Sequence, residues 1–395
     1  MTDCCIIGGG IIGLSLAREL SGRGMSVRLL AREPHRATAS WAAAGIFPPA
    51  PWSPDCGPGD ALTAWSDQLH RAWADDLRAE TGIDNGLRAC GGLHLATSSR
   101  GLERIGAEAA AWRARGTPCD LLTAPDVAAC EPALRAAVAR GRITGGMLLP
   151  AETQLRPPRH LAALEQSCLQ RGVVISRPAT VREFLTHGDQ IDHVVADIAG
   201  TPEAITSGSF VLAAGAWSQS LADHLGLQIA TRPVRGQIAL VRLPSTPVSR
   251  VVNRGLDYLV PRDDGRLLVG STLEDVGFDP STTDEAVTRL LALAHELLGD
   301  LPNAVLEQAW AGLRPGSVDG LPTIGRIPGL TNALVAAGHF RAGLHQSTGT
   351  AVMIADLIEG RTSPVAPMHF AVDRPPAQAI DAVDAHIARV MSESA

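Results

Sequence analysis

Three glycines near the start of the chain, Gly8, Gly10 and Gly13, have the spacing G-x-G-x-x-G, a pattern that brings backbone close to a pyrophosphate. The first glycine allows a tight turn, the second lets phosphates approach the main chain, and the third lets a helix pack against a strand. An apolar run, Cys4–Cys5–Ile6–Ile7, precedes the loop, and Leu14–Ser15–Leu16–Ala17–Arg18–Glu19–Leu20 follows it. A second apolar run, Val27–Arg28–Leu29–Leu30, completes a strand–helix–strand unit. The N-terminus of that helix offers unpaired N–H groups and a positive dipole end to an anion. The chemistry expected here is the binding of a nucleotide cofactor. Nucleophilic hydrolysis finds no support, because the chain has no G-x-S-x-G turn to present a serine between strand and helix. Metal chemistry finds none either: the 12 His are scattered and the seven Cys lack C-x-x-C spacing.

The elements that must position such a cofactor are legible at coarse grain. With 395 residues, 45% of them hydrophobic, and a mean hydropathy of +0.10, the chain can bury a large core. Two domains are expected, or one large α/β unit carrying an inserted module. A formal net charge of −7 disfavours general binding to nucleic acid or to an anionic membrane surface, and no apolar run approaches the length of a bilayer span. The glycine loop stands where the charged and apolar regions of a signal peptide would be, and the cysteine pattern suits a reducing compartment. A cytoplasmic protein is therefore expected.

Along the chain, residues 37–54 read as the start of a helix followed by a Pro-rich irregular loop. Leu62, Trp65, Leu69, Trp73 and Leu77 recur at three-to-four spacing, which predicts an amphipathic helix over about 60–81 with its Trp residues in the core. Strands are expected near 91–95 and 146–149, helices over 99–140, and a helix from Arg159 to about Gln170 behind Pro157–Pro158. Short apolar runs at 173–175 and 210–213 are of the buried parallel type, with a polar hairpin between them at 180–207. Alternation from Arg232 to Thr272 predicts an antiparallel sheet, followed by helices at about 284–298 and 347–358. The fold class is therefore α/β, a Rossmann-like nucleotide-binding domain with an inserted α+β domain built on an antiparallel sheet. Residues 1–85, 145–228 and 309–373 are assigned to the first, 86–144 and 229–308 to the second, and 374–395 to a C-terminal tail.

Two later segments narrow the chemistry. One runs Trp310–Ala311–Gly312–Leu313–Arg314–Pro315–Gly316 and on to Gly325; the other is Ala336–Ala337–Gly338–His339–Phe340–Arg341–Ala342–Gly343–Leu344. With the glycine loop and Ala39–Ser40–Trp41–Ala42–Ala43–Ala44–Gly45–Ile46, they closely resemble the glycine oxidase branch of the D-amino-acid-oxidase-like FAD oxidoreductases, from about residue 3 to about 365. The resemblance implies FAD as cofactor, a small amino-acid or amine substrate, and O2 as acceptor. It further implies hydride transfer to flavin N5, with imine and H2O2 as products and the imine a source for thiamine thiazole. Assembly with further copies of the chain is compatible with it.

By the same resemblance Arg314 is the substrate-carboxylate arginine, Tyr258 (the only Tyr) an active-site hydroxyl, and Arg341 a second arginine beside substrate and flavin. A guanidinium suits that part because it grips a carboxylate with two parallel hydrogen bonds. Cofactor contacts are implied at Gly8, Gly10, Ile11, Ile12, Gly13, Arg32, Glu33, Ser40, Ala44, Gly45, Ile46 and Ala179. They are also implied over the loop Gly338, His339, Phe340, Arg341, Ala342, Gly343 and Leu344, where His339 shapes the loop instead of titrating. The chain departs from the pattern at Ala31, where an acid would hold the ribose, leaving Glu33 as a substitute. It departs again at Thr348, in place of a proline, and at Leu256, in place of a polar residue. Leu256 and Leu273 are expected to make the pocket more apolar and to admit substrates such as sarcosine or a small D-amino acid. A dehydrogenase passing electrons to another acceptor, and a flavin-binding subunit without turnover, are the alternative readings.

Overall fold

The computed structural model describes residues 1–32, 38–229 and 231–375; Glu33 and most of the expected C-terminal tail lie outside them. The first apolar run becomes the strand Thr2–Ile7, whose last four residues are buried on both faces. Cys4 packs among the helices and Cys5 against the opposite layer, as adjacent strand residues must. Around it lies a six-stranded sheet in the order Thr323–Arg326, Ala333–Ala337, Ser207–Leu212, Thr2–Ile7, Val27–Leu30, Val174–Ser176. Every pair is parallel except the first.

The helices Ile11–Gly22, Pro58–Thr81, Pro157–Gln170 and Ser347–Glu359 cover one face of this sheet, burying Leu14, Leu20, Leu62, Leu77, Leu164 and Ile354. The other face is covered by three antiparallel strands, Ala179–His187, Gln190–Ile198 and Thr201–Ile205. The sequence predicts only a hairpin over 180–207. The third strand escapes because it is exposed along its length except at Ile205, so it carries no apolar alternation. Its tight entry uses positive φ at Ala199 and Gly200.

A second, eight-stranded sheet runs Val305–Ser317, Thr231–Arg242, Arg266–Gly270, Asp257–Pro261, Val251–Arg254, Gly92–Ala96, Gly145–Leu149, Asp120–Thr123. All neighbours are antiparallel except Val251–Arg254 with Gly92–Ala96. The strand Gly145–Leu149, assigned from sequence to the cofactor portion, belongs to this sheet. So does the first half, 310–317, of the chemically suggestive segment 310–325, which is the end of a 13-residue edge strand. Its prolines and glycines read as a turn, but Pro315 lies opposite Pro233, where the pairing tolerates missing donors. The helix Asp284–Leu298 packs on one face through Leu290, Leu293 and Leu297. The other face carries Tyr258, Ile238 and Trp310 against Ala42.

A Cβ placed on Gly13 would collide with the carbonyl oxygen of Gly8, whereas one on Gly106, in the exposed helix Ser99–Ala114, meets nothing within 4 Å. Gly13→Ala is therefore expected to lower the unfolding free energy by about 1–3 kcal/mol. Gly106→Ala should raise it by roughly 0.5–1 kcal/mol. Denaturant titration of the two variants checks the opposite signs.

Candidate functional site

Between the two sheets runs a cavity of about 1060 Å³. At one end is the glycine loop. Gly8 has φ +128°, and a Cβ there would strike the carbonyl of Ala213, at the end of the neighbouring strand. Gly10 has no side chain to cap the helix it opens; Ser40 Oγ accepts from the Ile11 N–H instead, at 2.9 Å. A turn made of small residues and an open helix N-terminus is a built anion site. The bounding residues Ala31 and Arg32 follow, with the Arg32 guanidinium 4.1 Å above the Trp217 ring. Burial lowers the Arg32 pKa from its ordinary value. The Ala31 Cβ faces Gly9 so closely that a Cβ on Gly9 would be 2.5 Å away. Among the described residues, this end of the cavity presents a cation stacked on an indole.

The middle is walled by small residues held in place by hydrogen bonds. Trp310 Nε1 donates to the Ala42 carbonyl at 3.2 Å, and a Cβ on Gly312 would come to 2.5 Å from the Ala42 Cβ. Arg262, buried, donates to the Ala44 carbonyl at 2.7 Å and to Gln154 Oε1 at 2.8 Å; burial and nearby Arg156 push it down to about 10. Gly45 has φ +74° against the Leu155 carbonyl. On the far side, the Phe340 N–H donates to the Pro315 carbonyl at 2.8 Å, which ties the loop after Ala333–Ala337 to the edge strand.

At the other end lies Arg314. Its guanidinium donates to the Thr272 carbonyl at 3.2 Å, the Arg235 carbonyl at 3.3 Å and Ser271 Oγ at 3.0 Å. Burial, reinforced by Arg341, pulls its pKa down to about 10. A Cβ on Gly236 would occupy the place of this guanidinium, and one on Gly270 would strike the Tyr258 ring. Glycine at these two strand positions is thus what lets Arg314 and Tyr258 lie over the sheet. Sequence reasoning passed over both, although a glycine inside an alternating strand is the usual mark of a close approach. Arg235 is itself anchored by Glu274, by Asp279 at 2.6 Å and by the Ser281 carbonyl at 3.2 Å.

Of the residues singled out from sequence, the cavity is lined by Arg314, Tyr258, Arg341, Gly8, Gly10, Ile11, Ile12, Arg32, Ser40, Ala44, Gly45, Ile46, Ala179, His339, Phe340, Ala342, Gly343 and Leu344. Gly13 and Gly338 are behind the wall: a Cβ on Gly13 would meet the Gly8 carbonyl, and one on Gly338 would come to 3.4 Å from the Ser317 Cβ. Leu256 lines the cavity and Leu273 does not, so only the first makes it apolar. Sequence reasoning also missed a polar group on the same wall, His94, Glu152 and Asn253. Among the described residues no group of His, Cys, Asp and Glu could hold a metal ion, and no helix is long and apolar enough to cross a membrane. All seven cysteines are unpaired.

The sequence model of the family of FAD dependent oxidoreductases matches residues 3–357. A glycine oxidase of Pseudomonas aeruginosa is 35% identical over 371 residues, 93% of this chain and 97% of that protein. The crystal structure of glycine oxidase from Geobacillus kaustophilus superposes with a TM-score of 0.87 at 30% identity, covering 95% of this chain and 99% of that one. A bifunctional ThiO/ThiG protein of Synechocystis is 32% identical over 92% of this chain, which spans 53% of its length.

The buried imidazoles beside the cavity give the fold an acid-sensitive side. His339 bonds Thr350 Oγ1 at 3.0 Å and is pushed down to about 3 by burial. His160, bonded to Asn85 at 3.1 Å, is pushed down to about 4 by burial with Arg18 nearby. Both stay neutral in the fold, while the unfolded chain protonates them below its ordinary value near 6.5. Stability is therefore expected to fall as pH drops from about 6.5 toward 4 and then 3, by on the order of 1 kcal/mol per pH unit for each imidazole. Melting temperatures across that range, with H160Q and H339Q flattening the slope, check the sign.

Proposed function

The chain belongs to the family of FAD dependent oxidoreductases and is an FAD-dependent amino-acid oxidase, and from that premise we propose that it oxidises glycine or a comparably small amine at the carbon bearing nitrogen. The observation that carries the reading is the half-buried Arg314 guanidinium, set in the cavity wall and held by two carbonyls and a hydroxyl. A charge so placed has its geometry fixed before a ligand arrives, and a carboxylate is the partner that matches its planar fork.

The residues present fit the cofactor. The turn at Gly8 and Gly10 and the helix opened at Ile11 suit its pyrophosphate, Arg32 on Trp217 suits the adenosine end, and the small-residue wall from Ala42 to Gly45 leaves room for the ring system. Bound FAD supplies the electron acceptor for the substrate C–H bond. In this reading the six-stranded sheet carries the cofactor and the eight-stranded sheet carries the substrate.

The chain's own part is to bind and orient. Arg314 takes the substrate carboxylate, and Tyr258, buried over Gly270 on the same wall, offers its hydroxyl to the same group. Arg341, on the loop tied to Pro315, closes the other side of the pocket. Fixing the carboxylate fixes the α-carbon, which makes the reaction an oriented transfer and leaves a general base unnecessary when the amine binds neutral. His339, kept neutral by burial, holds the loop through Thr350 and takes no proton. The imine product hydrolyses in water to oxo acid and ammonia, or passes to thiazole formation for thiamine, and O2 is the acceptor that yields H2O2.

Arg314→Ala is expected to lower kcat/KM for amino acids by roughly 10- to 150-fold, corresponding to the 1.5–3 kcal/mol of a charge-assisted pair. FAD should stay bound, as read from the flavin absorbance of the purified protein. A carboxylate-free amine should lose far less; an equal loss would remove Arg314 from the role given to it here.

A further inference from the structure

The polar group on the cavity wall has a construction of its own. Glu152 is fully buried, and its carboxylate sits directly over Gly92, where any Cβ would collide with it. Its backbone is pinned at both ends: its N–H donates to the Leu149 carbonyl at 3.2 Å and its carbonyl accepts from the Gly91 N–H at 2.9 Å. One carboxylate oxygen faces His94 Nε2 at 2.9 Å, and the other accepts from the Asn253 amide at 2.9 Å. His94 lies opposite Asn253 in the parallel pair, and Asn253 lies opposite Tyr258 in the next. The three side chains therefore form one row across three strands on the cavity face.

Strands in a sheet are about 4.8 Å apart, so His94 stands about 10 Å along this row from Tyr258. The Tyr258 ring lies over Gly270, on the side away from His94. A molecule as small as glycine, held by Arg314 and Tyr258, does not span that distance. The cavity itself continues past His94 to Trp112, Arg115 and Pro51. With the Glu152 oxygens engaged by His94 and Asn253, the atoms left to meet a ligand are Asn253 Oδ1 and His94 Nδ1. The one carboxylate of the group is fully buried and faces an imidazole and an amide, with no cation among the three side chains. A second carboxylate would be repelled there, whereas an N–H donor would find an acceptor and a buried anion behind it.

Resting on the amine-oxidation reading, we propose that His94, Asn253 and Glu152 form a second substrate subsite. It takes the N–H-bearing end (ammonium, guanidinium or carboxamide) of an amino acid longer than glycine, whose α-carboxylate is held by Arg314. Asn253 and His94 touch the ligand; Glu152 positions them.

Anaerobic flavin reduction by four compounds tests this: glycine, N-(2-aminoethyl)glycine, N-propylglycine and iminodiacetate. The wild-type holoenzyme is expected to show kcat/KM at least tenfold higher for the aminoethyl compound than for its apolar isostere or the diacid. That preference should shrink below about threefold in N253A and in E152Q, with the loss carried mainly by KM. The wild-type comparison decides by itself if either variant fails to fold. An equal or better rate with N-propylglycine or iminodiacetate overturns the subsite, as does a preference that survives both substitutions. Reduction by glycine without any preference among the longer compounds sinks the subsite and leaves the amine-oxidation reading standing. Reduction by none of the four sinks both.

Discussion

A guanidinium drawn into a protein is costly while its donors are unmet; much of this structure serves to hold three of the five Arg314 N–H groups, and a carboxylate would meet the remaining two. The Arg235 carbonyl comes from the neighbouring strand, and the Thr272 carbonyl and Ser271 hydroxyl come from the loop after Arg266–Gly270, one strand further on. Their positions depend on Arg235, locked by Glu274 and Asp279. The space depends on Gly236 having no side chain. The edge strand that carries Arg314 is pressed onto the cofactor side by Gly312 against Ala42 and by the Phe340 N–H on Pro315. The two sheets are thus joined where the substrate carboxylate and the cofactor would have to meet.

The ends of the cavity follow different logics. In the proposed reading the glycine loop would bind through main chain, so its requirement is local: small residues, a tight turn and a helix start within a few positions. The end proposed for the substrate would bind through side chains gathered from distant strands, with their orientation set by cross-strand partners. At the end proposed for the adenosine, the described residues place Ala31 against Gly9 and stack Arg32 on Trp217.

That difference also explains what could be read from the residues alone. The strand–loop–helix start, the helix Pro58–Thr81 and the antiparallel run after Thr231 were legible because each is written in a local period. The edge strand Val305–Ser317 was not, because its Gly and Pro residues mimic a turn and only pairing with Thr231–Arg242 makes them a strand. Arg314, Tyr258 and Arg341 were legible through family resemblance, and the structure brings them to one cavity. Gly236 and Gly270 were invisible as site residues since their importance lies in another residue's side chain. The Glu152–His94 pair spans 58 residues of sequence with no motif between; only the register of three strands brings it together with Asn253.

The central claim is that Arg314 is a preformed grip for a carboxylate facing bound FAD. The most direct measurement is a crystal structure of the holoenzyme with an unreactive small carboxylate such as glycolate. Both carboxylate oxygens are expected on the Arg314 guanidinium, with the Tyr258 hydroxyl within hydrogen-bond distance and the ligand's α-carbon facing the flavin ring. A carboxylate seated elsewhere in the cavity, with Arg314 bonded only to Ser271, Thr272 and Arg235, would contradict it.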